Sequence, residues 1–552
     1  MENLKQYFES RDLENGFLRI NSQPHTKDIE ALKSCCSGVV TGEYYFVSKY
    51  FGIDIDGENI ISEIAKLQDT DVDSPTYGCL RWYREEPCIR DTNGAFFVLR
   101  PIVMSMLFCE DKISEAEREI ILHVLRIAGN WFIHECNNSG YFYPNKISSD
   151  GALLLAIGTI TKEKELLREA YEFWNNYMDY TENYGWGWGE NTSKCYHTVM
   201  NAAFELALCC MDNNSELYKR LYKARSILVD YSAYHGNYAF VPSIRTYNFG
   251  GKVTATQGLN IAEISPKKLV NEHGKISYNV LMSLILHDNA PEYIASPDSS
   301  TFHTEKIYGN SYAATYKGEN IRLGTINKFP VMPGCYQNRD WGLGWQSMPV
   351  SVLALKHELS FLRFAAVSDG GLRTHIAYDK HSAYLDNNLF ADENIPDILT
   401  ECNQKNNTAV IVRKVTHLAN RASYFADEWY FQHFDGEISE YKEWYVFDYG
   451  DCVLAVKPLN ANVEIMRDGE NIRLAQKFYD GEEKLLVHRY LVAAWAAAVF
   501  DSSQDWQNEL DKIKTSYTSI PNPYFPRTDN TPFKITCGEA SLDFEPYKND
   551  LL

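Results

Sequence analysis

The sequence predicts a multidomain α and β chain: an N-terminal α/α toroid over residues 1–295, then an antiparallel β-sheet or sandwich domain over 296–552. Three observations predict it. Apolar residues recur at helical spacing from about residue 26 to 290. From about residue 300 they give way to short runs of β-formers bounded by turn residues. A length of 552 residues exceeds one hydrophobic core of usual size.

The helical elements follow in order. "ENIISEIAKL" (58–67) and "GAFFVLRPIVMSMLFC" (94–109) come first, and Pro101 predicts a kink or a late start in the second. "ISEAEREIILHVLRIAGNWFIHEC" (113–136) carries Ile120, Ile121, Val124, Leu125, Ala128, Trp131 and Phe132 on one stripe. "DGALLLAIGTI" (150–160) is nearly all apolar. "KEKELLREAYEFWNNYMDY" (162–180) has a stripe of Leu166, Leu167, Ala170, Phe173 and Tyr177. Segments 192–210, 215–234 and 276–287 complete the series. Short loops make consecutive helices antiparallel. All-apolar helices alternating with amphipathic ones are what a double-layered ring requires.

The β-type runs are 311–327, 408–418, 423–434, 440–456 and 485–500, with "YKGEN" and "FDYGDC" as hairpin turns. No helices alternate with them, so the sheet is expected to be antiparallel. Residues 502–514 read as a terminal helix and 519–552 as an extended strap.

Composition narrows the partners. A net charge of -21 opposes nucleic acid binding, while a local cationic cleft can still take an anion. An aromatic share of 14% favours stacking surfaces for sugars or other flat ligands. The 13 cysteines show no CxxC or zinc spacing, and buried thiols fit best. No HExxH, Walker or dinucleotide motif appears, so neither metal nor cofactor is expected. The first residues lack an apolar core, which points to the cytoplasm, although a signal removed beforehand would leave the same sequence. No membrane partner is expected.

Loops preceding inner helices of a toroid gather at one mouth, and three such stretches stand out. Residues 77–94 hold Arg81, Trp82, Arg84, Asp91 and Asn93: a ring between two guanidiniums, suited to an acidic sugar. "NYGWGWGENTSKCYH" (183–197) holds Trp186, Trp188, Glu190, Asn191 and His197. If extended, it sends both Trp rings to one side, with the glycines leaving room around them. Residues 234–251 hold His235, Tyr238, Arg245 and Tyr247, groups suited to proton transfer beside a carboxylate. In the β half, "CYQNRDWGLGWQSMPV" (335–350) adds Arg339 and Trp341. Each of these residues also has a bland reading as a cap, a core ring or a surface tyrosine.

A helical toroid followed by an antiparallel β-domain resembles the polysaccharide lyases of that architecture, among them the chondroitin, hyaluronate, alginate and heparinase-type lyases. The resemblance implies β-elimination on an acidic oligo- or polysaccharide containing uronic acid. It implies Asn191 as neutraliser of the carboxylate and His197 as base or second neutraliser. Tyr247 becomes the acid, or acid and base, with Arg245 beside it. Trp82, Trp186 and Trp188 become sugar platforms. His197 falls inside a helix, which leaves His235, His303 or His357 as other bases. Two alternatives stay open: a glycoside hydrolase using Asp91 and Glu190, and a non-catalytic carbohydrate-binding protein.

Overall fold

The structure is a computed structural model describing residues 13–22, 24, 26–246, 277–331, 346–368, 371–372, 397–488, 491–502, 505–518 and 533–544. The chain divides into two compact units. A helical unit comprises 1–183, 197–233 and 260–296. A β unit comprises 297–552 together with two stretches from the first half, 184–196 and 234–259.

In the helical unit, local chemistry sets the helix ends. Ser114 and Glu117 form a reciprocal capping box at the start of helix Glu115–Asn137. Gly52, at φ 68°, closes helix Gly38–Phe51 in the left-handed conformation. Helix Lys164–Tyr184 buries Leu166, Ala170, Phe173, Trp174, Tyr177 and Met178, the expected stripe without Leu167 and with Trp174 and Met178 added. Helix Pro144–Thr161 is buried over most of its length, as an inner helix should be. Helix Gly94–Phe108 starts ahead of Pro101 and continues past it, so the late start is not seen.

The inner helices close a ring. Gly38–Phe51 packs on Gly94–Phe108, which packs on Pro144–Thr161. On the far side, Glu205 takes His287 Nδ1 at 2.8 Å and Arg225 at 2.7 Å, tying Lys194–Cys209 to Glu216–His235 and Tyr278–Asn289. The ring is sealed where Tyr278–Asn289 returns to Gly38–Phe51. Asn279 Nδ2 donates to Glu43 Oε1 at 2.8 Å, and the rings of Tyr44 and Tyr278 meet edge-on at 5.6 Å.

The main antiparallel sheet of the β unit runs through Glu437–Tyr441, Trp444–Asp448, Cys452–Pro458, Leu491–Asp501, Thr408–Phe431, Leu359–Ser368, Val350–Ala354, Ile321–Ile326, Ser311–Lys317 and Phe302–Tyr308. Side-chain alternation along Thr408–Phe431 feeds two cores. Ala409 and Ile411 join Trp429, Trp495 and Leu323. Val410 and Val412 join Phe500, Ile535 and Phe544 on the opposite face.

Two expectations need correction. The runs 408–418 and 423–434 are one 24-residue strand, which pairs with 491–498 over its first part and with 359–368 over its last. Asn420 and Arg421, between the runs, pair in register with Leu486 and Leu485, so the strand continues through them, and the register shifts fall later, at Ala422/Tyr424 and Phe425/Ala426. Part of the expected strap is a hairpin, Phe533–Cys537 and Ala540–Phe544, whose apolar face covers the second core. Residues 519–532 and 545–552 lie outside the described set. Among the described residues no cysteine is disulfide-bonded, and no helix is long and apolar enough to cross a membrane.

Candidate functional site

The two stretches carrying most of the sequence candidates belong to the β unit, and backbone bonds hold them there. Trp186 N–H donates to Ile307 O, and Gly309 N–H to Tyr184 O, both at 2.6 Å. Strand Ser243–Thr246 pairs with Gln346–Met348. Gly324 allows the close approach of 241–242: a Cβ there would lie 2.2 Å from Pro242 N.

The Gly-Trp repeat is a turn, contrary to the extended reading. Gly185, Gly187 and Gly189 have φ of 108°, 57° and 81°, so the glycines supply left-handed backbone. Gly185 also lies flat on strand Phe302–Tyr308, where a Cβ would meet Ile307 O at 2.3 Å. The rings consequently part company. Trp186 is 5% exposed and packs inside, while Trp188 stays half-buried beside Arg245.

Arg245 is the centre of the arrangement. It is wholly buried and ion-paired with Glu190, also wholly buried. Its Nη2 donates to the Tyr196 hydroxyl at 3.1 Å. The guanidinium lies 4.4 Å from the Tyr196 ring centroid and 5.1 Å from that of Trp188. Its backbone is fixed as well: Arg245 N–H donates to Ser347 Oγ at 3.0 Å, and Ser193 Oγ donates to Arg245 O at 3.0 Å. A φ of 50° at this residue is a strained choice for a side chain this large, held by those contacts. Beside it, Asn191 Nδ2 donates to Lys306 O at 3.0 Å. Its Oδ1 is buried and, among the described residues, has no hydrogen-bond partner. A buried amide oxygen without a donor is costly unless a ligand supplies one.

Next along the β unit lies a second group. His235 is wholly buried, and burial together with nearby Arg322 and Lys194 pushes its pKa well down, so it is neutral. Arg322 Nη1 donates to His235 O at 2.8 Å, and Lys194 Nζ to Gly236 O at 2.9 Å. Tyr238 is half-buried with its ring 4.8 Å from the Arg322 guanidinium.

The other candidates lie elsewhere. His197 belongs to the helical unit and holds Leu228 O at 2.6 Å through Nε2. A carbonyl only accepts, so that nitrogen carries the proton and is not a base. Arg81, Trp82, Arg84, Asp91 and Asn93 are also in the helical unit, engaged in its scaffold. Arg81 holds Glu86 O and Lys66 O, each at 2.7 Å, and Arg84 pairs with Glu14 at 2.6 Å. Trp82 Nε1 donates to Asp91 O at 3.2 Å, and Asp91 Oδ1 accepts from Asn93 N–H at 3.0 Å. Asp91 and Glu190 are thus occupied by a turn and an ion pair, which removes the support for a two-carboxylate hydrolase. His357 lies between Asp435 and Asp451. Tyr247, Arg339 and Trp341 lie outside the described residues.

Sequence reading missed Tyr196, Lys194 and Arg322. Two of them carry a local signal. Lys194 opens helix Lys194–Cys209, where a cation opposes the helix dipole. Arg322 is the one charged residue of strand Ile321–Ile326.

No family model and no curated protein matches the sequence. Solved structures do match. A chondroitin AC lyase from Streptomyces coelicolor, in complex with chondroitin sulphate, is similar at a TM-score of 0.50 and 9% identity, over 97% of this chain and 82% of that one. A heparan sulfate lyase from Pedobacter heparinus gives 0.40 at 12% identity, over 93% and 82%. A heparinase III gives 0.39 at 11% identity, over 98% and 94%. The chain therefore has the helical-toroid and antiparallel-β architecture of the first of these.

Proposed function

We propose that this chain cleaves an acidic, uronic-acid-containing oligo- or polysaccharide by β-elimination. The solved structure sharing its fold at a TM-score of 0.50 is a lyase holding chondroitin sulphate, which supports the reading. The observation that carries it is the buried Arg245, which joins Glu190, the Tyr196 phenol and the Trp188 ring next to an amide oxygen with no donor.

Elimination needs three services. The carboxylate at C5 must be offset so that charge can develop on it as the C5 proton leaves. A base must take that proton. An acid must protonate the C4 oxygen as the C4–O bond breaks and the C4–C5 double bond forms. Asn191 offers the carboxylate the second hydrogen of Nδ2, the first being on Lys306 O, and its Oδ1 accepts from a sugar hydroxyl. Tyr196, whose hydroxyl accepts from Arg245 Nη2, and Tyr247 are the phenols for proton transfer. Arg245, paired and buried, acts through Tyr196 and is a positioning residue. Trp188 is the sugar platform.

The test is ultraviolet absorbance of the conjugated product. A panel of uronate polysaccharides and their oligosaccharides is incubated with the purified chain. Absorbance that grows with the wild type and is lost in Tyr196→Phe or Tyr247→Phe supports the proposal. New reducing ends without absorbance, or no cleavage of any uronate substrate, overturns it.

A further inference from the structure

The main sheet starts with Glu437–Tyr441, Trp444–Asp448 and Cys452–Pro458 and ends with Phe302–Tyr308, where the Trp186 stretch is anchored. Beside the first three strands lies a cavity of about 470 Å³, lined by Glu440, Glu443, Tyr445, Lys457, Asn462 and Tyr517 among others. That volume falls in the range of about 300–1,000 Å³ that small-molecule sites occupy. Its walls are fixed by bonds made behind them. The turn at Lys442–Glu443 is tied to helix Trp506–Lys512: Lys442 Nζ donates to Asp511 Oδ1 at 2.7 Å, and the Tyr441 hydroxyl donates to the same oxygen at 3.1 Å. Loop 459–463 is pinned to strand Leu491–Asp501, with Leu459 N–H donating to Ala494 O at 2.9 Å and Asn460 Nδ2 to Val492 O at 2.8 Å. The third wall, Thr515–Tyr517, pairs with Phe533–Cys537. Walls held in this way are in place before a ligand arrives.

The lining mixes donors, acceptors and rings. Lys457 is 17% exposed, the least open of the charged side chains here, and donates to Glu443 Oε2 at 2.7 Å and Thr515 Oγ1 at 3.0 Å. A third N–H is left for a ligand. Glu440 is directly opposite Tyr445 across the hairpin. Burial and then the Glu440 charge push the Tyr445 phenol up, so it stays a neutral donor. Glu440 and Asn462 are exposed, and among the described residues neither makes a hydrogen bond or an ion pair.

These charges select the ligand. Two carboxylates stand against one ammonium, in a chain of net charge -21, so an acidic sugar is disfavoured. A cation is drawn by the carboxylates but meets Lys457. An uncharged polyol meets neither conflict, because each hydroxyl can donate to a carboxylate and accept from Lys457 or Asn462. The half-buried Tyr445 and Tyr517 offer an apolar wall to the C–H face of a sugar. We propose that this cavity is a second carbohydrate site, one that takes an uncharged sugar unit. It needs no elimination chemistry and shares no residue with the Arg245 cluster, so it stands or falls separately from the proposed activity.

The experiment is saturation-transfer NMR on the full chain with cellobiose and chitobiose, with glucuronic acid as the charged control. Saturable transfer to at least one of the neutral disaccharides is expected, and markedly less to glucuronic acid. Asn462→Ala and Glu440→Ala remove exposed groups that brace no wall, so both variants should fold. Each loses hydrogen bonds to the sugar and should weaken binding about tenfold. The readout is binding alone, whether or not a uronate polymer is cleaved. Absence of transfer to both disaccharides, equal transfer to glucuronic acid, or binding unchanged in both variants overturns the site.

Discussion

Replacing Glu190 by Gln removes one charge of a pair in which both side chains are 0% exposed. Arg245 is then left as a buried cation. Breaking such a pair from one side costs about 3–5 kcal/mol. Arg245 keeps its bond to Tyr196 and its two ring contacts, so the lower end, about 3 kcal/mol, is expected. That is roughly a hundredfold in the unfolding constant of the β unit. Urea unfolding followed by tryptophan fluorescence reads it, and Trp188, 5.1 Å from the guanidinium, is a local reporter. The double variant Glu190→Gln/Arg245→Met removes both charges and should recover most of the loss. Activity adds a second readout: the proposed elimination should fall in the double variant, where Tyr196 loses its Arg245 partner, while no hydrolysis should appear in either protein. A single variant unfolding within about 0.5 kcal/mol of wild type would refute the view that this pair organises the site.

Further outcomes are expected. The Lys194 pKa lies at about 8 folded against 10.5 for the ordinary group, so between those values the unfolded chain binds more protons and stability rises with pH. The rise is at most about 3 kcal/mol, and urea midpoints from pH 7.5 to 10.5 should flatten in Lys194→Met; an unchanged slope refutes the assignment. Gly324→Ala puts a Cβ against the backbone of Val241 and Pro242, and about 1–3 kcal/mol of stability should be lost along with activity, since Arg245 follows three residues on. Full activity in that variant would show that this contact does not position the site. His303 is lowered by burial but raised more by Glu305 and Asp298, so its net shift is upward. Its stabilising contribution is present below pH about 6.5 and lost as pH rises through the folded value; His303→Gln should remove that dependence between pH 6 and 8.

Much of the fold follows from patterns that act locally. Stripes on 115–137 and 164–184, the nearly all-apolar 150–160 and the β-runs after 300 each report their own element. The site was harder to read because its contacts are not local. Glycines in 185–189 signal a turn as readily as bare space around rings, and only the backbone of Ile307 decides between them. Glu190 and Arg245 are far apart in sequence, and nothing near either one announces the pair. Arginines flanking Trp82 look like sugar ligands until their carbonyl and Glu14 partners are known. Glu440 and Tyr445 flank a hairpin turn, and only the strand register places them opposite each other.

The sealed ring of inner helices bears on the order in which a growing chain matures. The Asn279–Glu43 bond spans 236 residues, so the circle cannot close until the ribosome has released residue 279. The stretches bearing Glu190 and Arg245 have emerged by then, yet their anchors have not. Asn191 waits 115 residues for Lys306, and Arg245 waits 102 for Ser347. Nascent chains halted before residue 346 should therefore hold a closed helical circle while the Glu190–Arg245 cluster is still unassembled. Pulse proteolysis of stalled ribosome complexes should find 184–196 and 234–246 cleavable until that strand appears.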